Sequence, residues 1–142
     1  MNTHLRDNLQ YLYDRGVGIW TSVPYNAANF GVDPGGSGTW TVDAGDQVTF
    51  KYATFGKIMW VQWQLETTTL TGAAIALSIA IPGGATAVNG EMGVCYASGP
   101  TTEFCAVAVV APRLQILRSA SAPWAVATNT QSIRGQIWFE IA

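Results

Sequence analysis

From Gly38 onward, hydrophobic and polar residues alternate with the two-residue period of half-buried β-strands. Trp40 and Val42 alternate with Thr39 and Thr41, and Val48, Phe50 and Tyr52 oppose Gln47, Thr49 and Lys51. After a hairpin signal at Gly56-Lys57, Met59, Val61, Trp63 and Leu65 share one face, with Trp60, Gln62 and Gln64 on the other. Ile75, Leu77, Ile79 and Ile81 repeat the pattern before Pro82-Gly83-Gly84, and near the end Ile137, Phe139 and Ile141 oppose Gln136, Trp138 and Glu140. Gly, Pro, Asn and Asp bound these runs and no helical stretch separates them, which points to antiparallel pairing and not to βαβ units. About seven to nine strands with regularly spaced turns predict an all-β domain over residues 39–142, an antiparallel β-sandwich or jelly-roll-like fold.

Two segments depart from simple alternation. The run Thr67-Thr68-Thr69-Leu70-Thr71-Gly72 reads as a loop or a strand edge. Phe104 to Val110 is apolar on both faces, the mark of a strand buried on both sides or lying at a subunit contact.

Ahead of the β region the period changes. Leu5, Leu9 and Leu12 recur at spacings of four and three, which predicts a short α-helix over 1–16, capped by Asn2 or Thr3 and stopped by Gly16. About three turns are marginal for a helix alone in water. Its leucine stripe therefore needs a partner, either the body of the same chain or the same helix from other subunits. Residues 17–38 lose periodicity and fill with turn formers. They read as an extended connector whose Trp20, Tyr25 and Phe30 pack on something, in the simplest case an edge of the same domain, and otherwise stand as candidate interface or ligand aromatics.

Composition narrows the class. Of 142 residues 49% are hydrophobic and only 11% charged, with six Trp and a net charge of −2, against roughly 25% charged in an average soluble domain. Such a chain folds, since disordered chains lack aromatics and carry high net charge. Seven Lys and Arg at a pI of about 5.1 provide no basic stripe for nucleic acid. No apolar run approaches the ~20 residues of a membrane span, and no hydrophobic stretch of a secretory signal follows the polar opening residues. Cys95 and Cys105 lie ten apart, a spacing that suits a disulfide across a hairpin or two buried thiols on adjacent strands. The reduced reading comes first, because free cysteine is among the most often buried residue types.

Candidate chemistry is thin. His4 is the single histidine, so a Ser-His-Asp or Cys-His site requires it to swing from the amino-terminal helix into the β region. One His and two Cys do not match zinc-ligand spacings, so neither a metal nor another cofactor is expected. Asp33, Asp43, Asp46, Glu66, Glu91, Glu103 and Glu140 read as turn or strand-end residues and not as a hydrolytic pair. No catalytic residue is assigned. The aromatics remain: Trp60 and Trp138 each fall on the polar face of a strand, beside glutamines, where they suit a subunit contact or a sugar-stacking platform. So few charges favour a surface partly hidden in an assembly.

Met1-Asn2-Thr3-His4-Leu5-Arg6-Asp7-Asn8-Leu9-Gln10-Tyr11-Leu12 resembles the short helical segment of small tailed-phage and prophage structural proteins. Trp40-Thr41-Val42, Gly45 to Tyr52, Gly56-Lys57, Ile79-Ala80-Ile81-Pro82-Gly83-Gly84 and Ile133 to Ile141 are similar to their β module. The likeness covers most of the chain outside the connector and the cysteine-bearing region. It implies a virion protein without catalytic activity, assembled in the host cytoplasm as a homotrimer through its amino-terminal segment. Its partners would be itself and other virion proteins, with no nucleic acid and no membrane. A chain of this length suits a capsid decoration or cement protein. The alternatives are a short tail-fibre or baseplate tip that binds host-surface glycan, and a lectin-like carbohydrate-binding module.

Overall fold

The computed structural model describes residues 19–33, 37–88, 90–119 and 122–142. The helix expected at 1–16, with Leu5, Leu9 and Leu12, lies outside them. The strands are β1 (Thr21–Ser22), β2 (Phe30–Val32), β3 (Thr39–Thr41), β4 (Gln47–Phe55), β5 (Ile58–Thr71), β6 (Ala76–Ala80), β7 (Met92–Ser98), β8 (Glu103–Val110), β9 (Arg113–Arg118) and β10 (Ala127–Glu140). Among the described residues they join into one antiparallel sheet in the order β1-β4-β5-β10-β7-β8-β9-β6-β2, with β3 added on β5. The expected all-β, antiparallel architecture is present, built as a single sheet that curls.

The two longest strands make the curl. β5 pairs with β4 through Ile58 to Leu65, but with β3 through Thr69 to Thr71, so its ends serve different parts of the sheet. The change falls in the threonine run, where Thr67 takes a left-handed φ of 56°. On the neighbouring strand Asn129 has φ 51°, and the β5–β10 register shifts on both sides of Gln131. Such irregularities bend a strand and raise its twist. Short side chains hold the bend: Asn129 N donates to Thr69 Oγ1 at 3.0 Å, and Thr67 Oγ1 donates to Asp46 Oδ1 at 2.9 Å. The segment expected to be a loop or edge is thus the bent far half of a strand. Beyond it the sheet curls until β2 lies alongside β3.

Inside the curl, one face of every long strand is apolar and dry. Phe50, Met59, Trp63, Leu65, Ile116 and Phe139 are buried there. Its principal polar exception is Gln131, fully buried at the bend. Gln131 Nε2 donates to the carbonyls of Ser98 (3.0 Å) and Thr101 (3.1 Å), and Oε1 accepts from Thr101 N at 3.2 Å. Thr68 Oγ1 donates to Gln131 O at 2.8 Å and itself accepts the Trp40 indole N–H at 3.0 Å. With its amide satisfied on both sides, Gln131 ties the bend to the β7–β8 turn at little desolvation cost.

The described part of the 17–38 connector belongs to this sheet, contributing β1, a 3₁₀ turn at Ala27–Asn29 and β2. Asn26 caps the turn, its Oδ1 accepting from Ala28 N at 3.0 Å. Arg113 then pins it, donating to Ser78 Oγ and Asn29 O, each at 2.9 Å. Residues 19–33 act as a strap across the open side of the curl.

Candidate functional site

The outer surface of β4, β5, β10, β7 and β8 is organised by register into rows. In the first, Trp60 on β5 stands opposite Ala53 on one side and Trp138 on the other. Trp20, arriving from the strap, packs on Trp60 with ring centroids 5.4 Å apart, and Trp138 meets Trp60 edge-on at 6.2 Å. The second row runs Lys51, Gln62, Gln136, Val94, Ala106. The third runs Thr49, Gln64, Arg134, Tyr96, Phe104. Met92, paired with Ala108, extends the apolar side.

These rows carry large apolar groups that are largely exposed among the described residues. Met92 is 72% exposed, Phe104 69%, Val94 63% and Trp138 63%. The charged groups in the three rows are Lys51 and Arg134, and both cations sit over aromatic rings. Lys51 Nζ is 4.7 Å from the centroid of Trp20, and Arg134 Cζ is 5.5 Å from that of Tyr96. Tyr96 meets Phe104 edge-on at 5.3 Å. Two shallow depressions indent the face: one of about 340 Å³ between Met92, Val94, Gln136 and Trp138, and one of about 330 Å³ bordered by Thr49, Gln62, Gln64 and Arg134.

Glu91 borders the first depression, and several other carboxylates are engaged in structure. Asp46 Oδ2 accepts from Asp43 N at 2.9 Å, which closes the turn before β4. Asp33 Oδ1 accepts from Gln115 Nε2 at 2.7 Å, and Glu103 pairs with Arg118 at 2.8 Å. Arg118 beside it holds the Glu103 carboxyl below its usual value. Among the described residues no three His, Cys, Asp or Glu side chains gather as metal ligands, and no helix is long and apolar enough to cross a membrane.

Of the aromatics singled out from the sequence, Trp20, Trp60 and Trp138 come together in one row. Tyr25 stands apart, its hydroxyl donating to Val42 O at 2.9 Å. Phe30 is a correction: it is no surface group but core, 5.8 Å from Trp40 and 6.0 Å from Phe50, because β2 closes the inner face. Met92, Val94 and Tyr96 join the site without having been singled out. The signal that finds this side of the face is the double-sided apolar pattern of Phe104 to Val110, whose outward residues lie uncovered. Cys95 and Cys105 are directly opposed on β7 and β8, buried and unjoined. No family model matches the chain, and neither the curated proteins nor the solved structures contain a match.

Proposed function

We propose that this chain is a non-enzymatic structural protein of a tailed-phage virion, a capsid decoration or cement protein that assembles as a homotrimer through its amino-terminal segment together with the outer face of β4, β5, β10, β7 and β8. The observation that carries the reading is that face, with its exposed Trp138, Met92, Val94 and Phe104 and its cations, Lys51 and Arg134, laid over aromatic rings. Five strands at about 4.8 Å spacing and some eight residues at about 3.3 Å rise give a patch of roughly 600 Å² in projection. Its accessible area is larger, within reach of the ~800 Å² each partner hides in a standard interface. A second copy is the favoured occupant because the middle of the patch is glutamine. Gln62 and Gln136 each offer both donors and acceptors, so the face can pair with uncharged polar surface on the next copy around a threefold ring without an opposite charge on the partner. The threefold order and the virion setting follow from the likeness of Met1 to Leu12 and of the β segments to phage structural proteins. On this reading the curled sheet is the jelly-roll-like module such proteins display, and no cofactor is needed.

Light scattering on the full chain at micromolar concentration is the test. The expected mass is that of a trimer, and Trp138→Glu yields a monomer with an unchanged far-ultraviolet spectrum and melting point. A monomeric wild-type chain overturns the proposal. The depression bordered by Gln136, Glu91 and Trp138, whose ring meets Trp60, favours a second reading, a fibre or baseplate tip that binds host glycan. Glycan-array binding that is lost in Trp60→Ala while assembly persists selects it.

A further inference from the structure

Across the inner face runs a row that the assembly surface does not use: Trp63, Gly135, Cys95, Cys105 and Arg118 on five successive strands, each opposite the next. Cys95 and Cys105 form a directly opposed antiparallel pair and both are buried. Opposed Cα atoms lie roughly 4.5 or 5.5 Å apart in the two kinds of antiparallel pair, and both distances fall inside the ~4.4–6.8 Å that a disulfide spans. Alternation aims both side chains inward, so neither strand has to turn. Gly135 clears the space beside them: a Cβ there would come within 2.5 Å of Cys95 Cβ and 2.6 Å of Trp63 Cζ2.

We propose that Cys95 and Cys105 are a covalent modification site, a thiol pair that closes into a disulfide stapling β7 to β8 when the protein meets an oxidising pool of small-molecule disulfide. The pair has unequal members. At neutral charge the Cys105 thiol donates to Glu103 O at 3.8 Å. Hydrogen bonding with Cys95 holds Cys105 down against its burial and the Glu103 carboxylate, with Arg118 a smaller lowering influence, while the same interaction and burial push Cys95 up. Cys105 is therefore the attacking sulfur. Its thiolate attacks one sulfur of the external disulfide and forms a mixed disulfide, expelling one thiolate. Cys95 then attacks the Cys105 sulfur, expels the second thiolate and gives up its proton to it. In sum, two protein thiols and one external disulfide become one protein disulfide and two external thiols. The second step is intramolecular and outcompetes a second external adduct. Both sulfurs are shielded, so access is through fraying of the strand ends near Glu103 or through the chain before it closes.

The test compares the full chain, Cys95→Ser and Cys105→Ser after incubation with excess oxidised glutathione, both as native protein and during refolding from denaturant. The readouts are intact mass and free thiols titrated under denaturing conditions. The full chain is expected to lose two hydrogens in mass and both titratable thiols, with no glutathione retained. Each serine variant is expected to retain one glutathione or one free thiol. A refolded full chain that keeps both thiols, or carries two glutathiones, overturns the proposal. Closure in a chain that scatters as a monomer supports it equally, because the pair lies on the inner face.

Discussion

Phe139 and Trp138 are neighbours on β10, and they separate the two faces of the sheet. Phe139 points inward and is 1% exposed, while Trp138 points outward and is 63% exposed. The inner face is apolar and covered by the curl of its own sheet; the outer one mixes glutamines and two cations with exposed apolar groups, and among the described residues only Trp20 of the strap packs on its aromatics. A strand interior to a soluble monomer normally turns a polar face to water. β7 and β8 do not: Val94, Phe104, Ala106 and Ala108 face out as Cys95, Cys105 and Val107 face in. Inner apolarity thus accounts for folding, and outer apolarity on β7 and β8 is not accounted for by the described fold.

Substituting the two neighbours is the strongest way to break that division. Phe139→Ala leaves a cavity in the core and is expected to cost about 3–5 kcal/mol of unfolding free energy. Trp138→Ala removes a larger side chain but loses only its edge-on contact with Trp60, about 1 kcal/mol at most. Urea denaturation of both variants, under conditions that keep the chain monomeric, gives the comparison. Equal losses would mean that the outer row is core in its own right and would remove the case for an assembly surface.

Gly135 tests the inner face by adding volume. It sits between Trp63 and Cys95, whose side chains already occupy the space its own would take. Gly135→Ala is expected to lose about 1–3 kcal/mol through overpacking, since the nearest atom is a Cβ that cannot rotate away. The midpoint of chemical denaturation reads this directly. A neutral effect would show that the inner row is looser than the register implies.

Period-two alternation made the inner face legible in advance, because burial on one side of a strand writes itself directly into sequence. Met59, Val61, Trp63 and Leu65 were assigned to one face, and they are buried together. The curl was not legible. It depends on left-handed backbone at Thr67 and Asn129 and on the Gln131 hydrogen bonds, and threonine and asparagine in a row look like a loop when their distant partners are unknown. Phe30 was misplaced for a related reason: a short strand in a stretch rich in turn formers has too few residues to show a period. The outer site was half legible. Trp60 and Trp138 stood out as aromatics among glutamines, whereas Met92 and Val94 join them only through the β10–β7 register.

The smallest expected effect concerns the far end of the inner row, where Arg118 pairs with Glu103 at 2.8 Å and also donates to Pro123 O at 2.6 Å. Arg118 holds the folded Glu103 carboxyl below its ordinary value of 4.5, chiefly by hydrogen bonding. A carboxyl depressed on folding stabilises the native state above the unfolded value and loses that contribution as pH falls through the folded one. The melting point of the wild-type chain should therefore exceed that of Glu103→Gln at neutral pH, and the gap should narrow as the solution is acidified past the ordinary carboxyl range. Because the pair is open to water, the gap should also shrink in high salt. A gap that persists unchanged at acid pH would mean that Glu103 acts through packing and not through its charge. The β8–β9 end of the inner face would then be held without help from its charge pair.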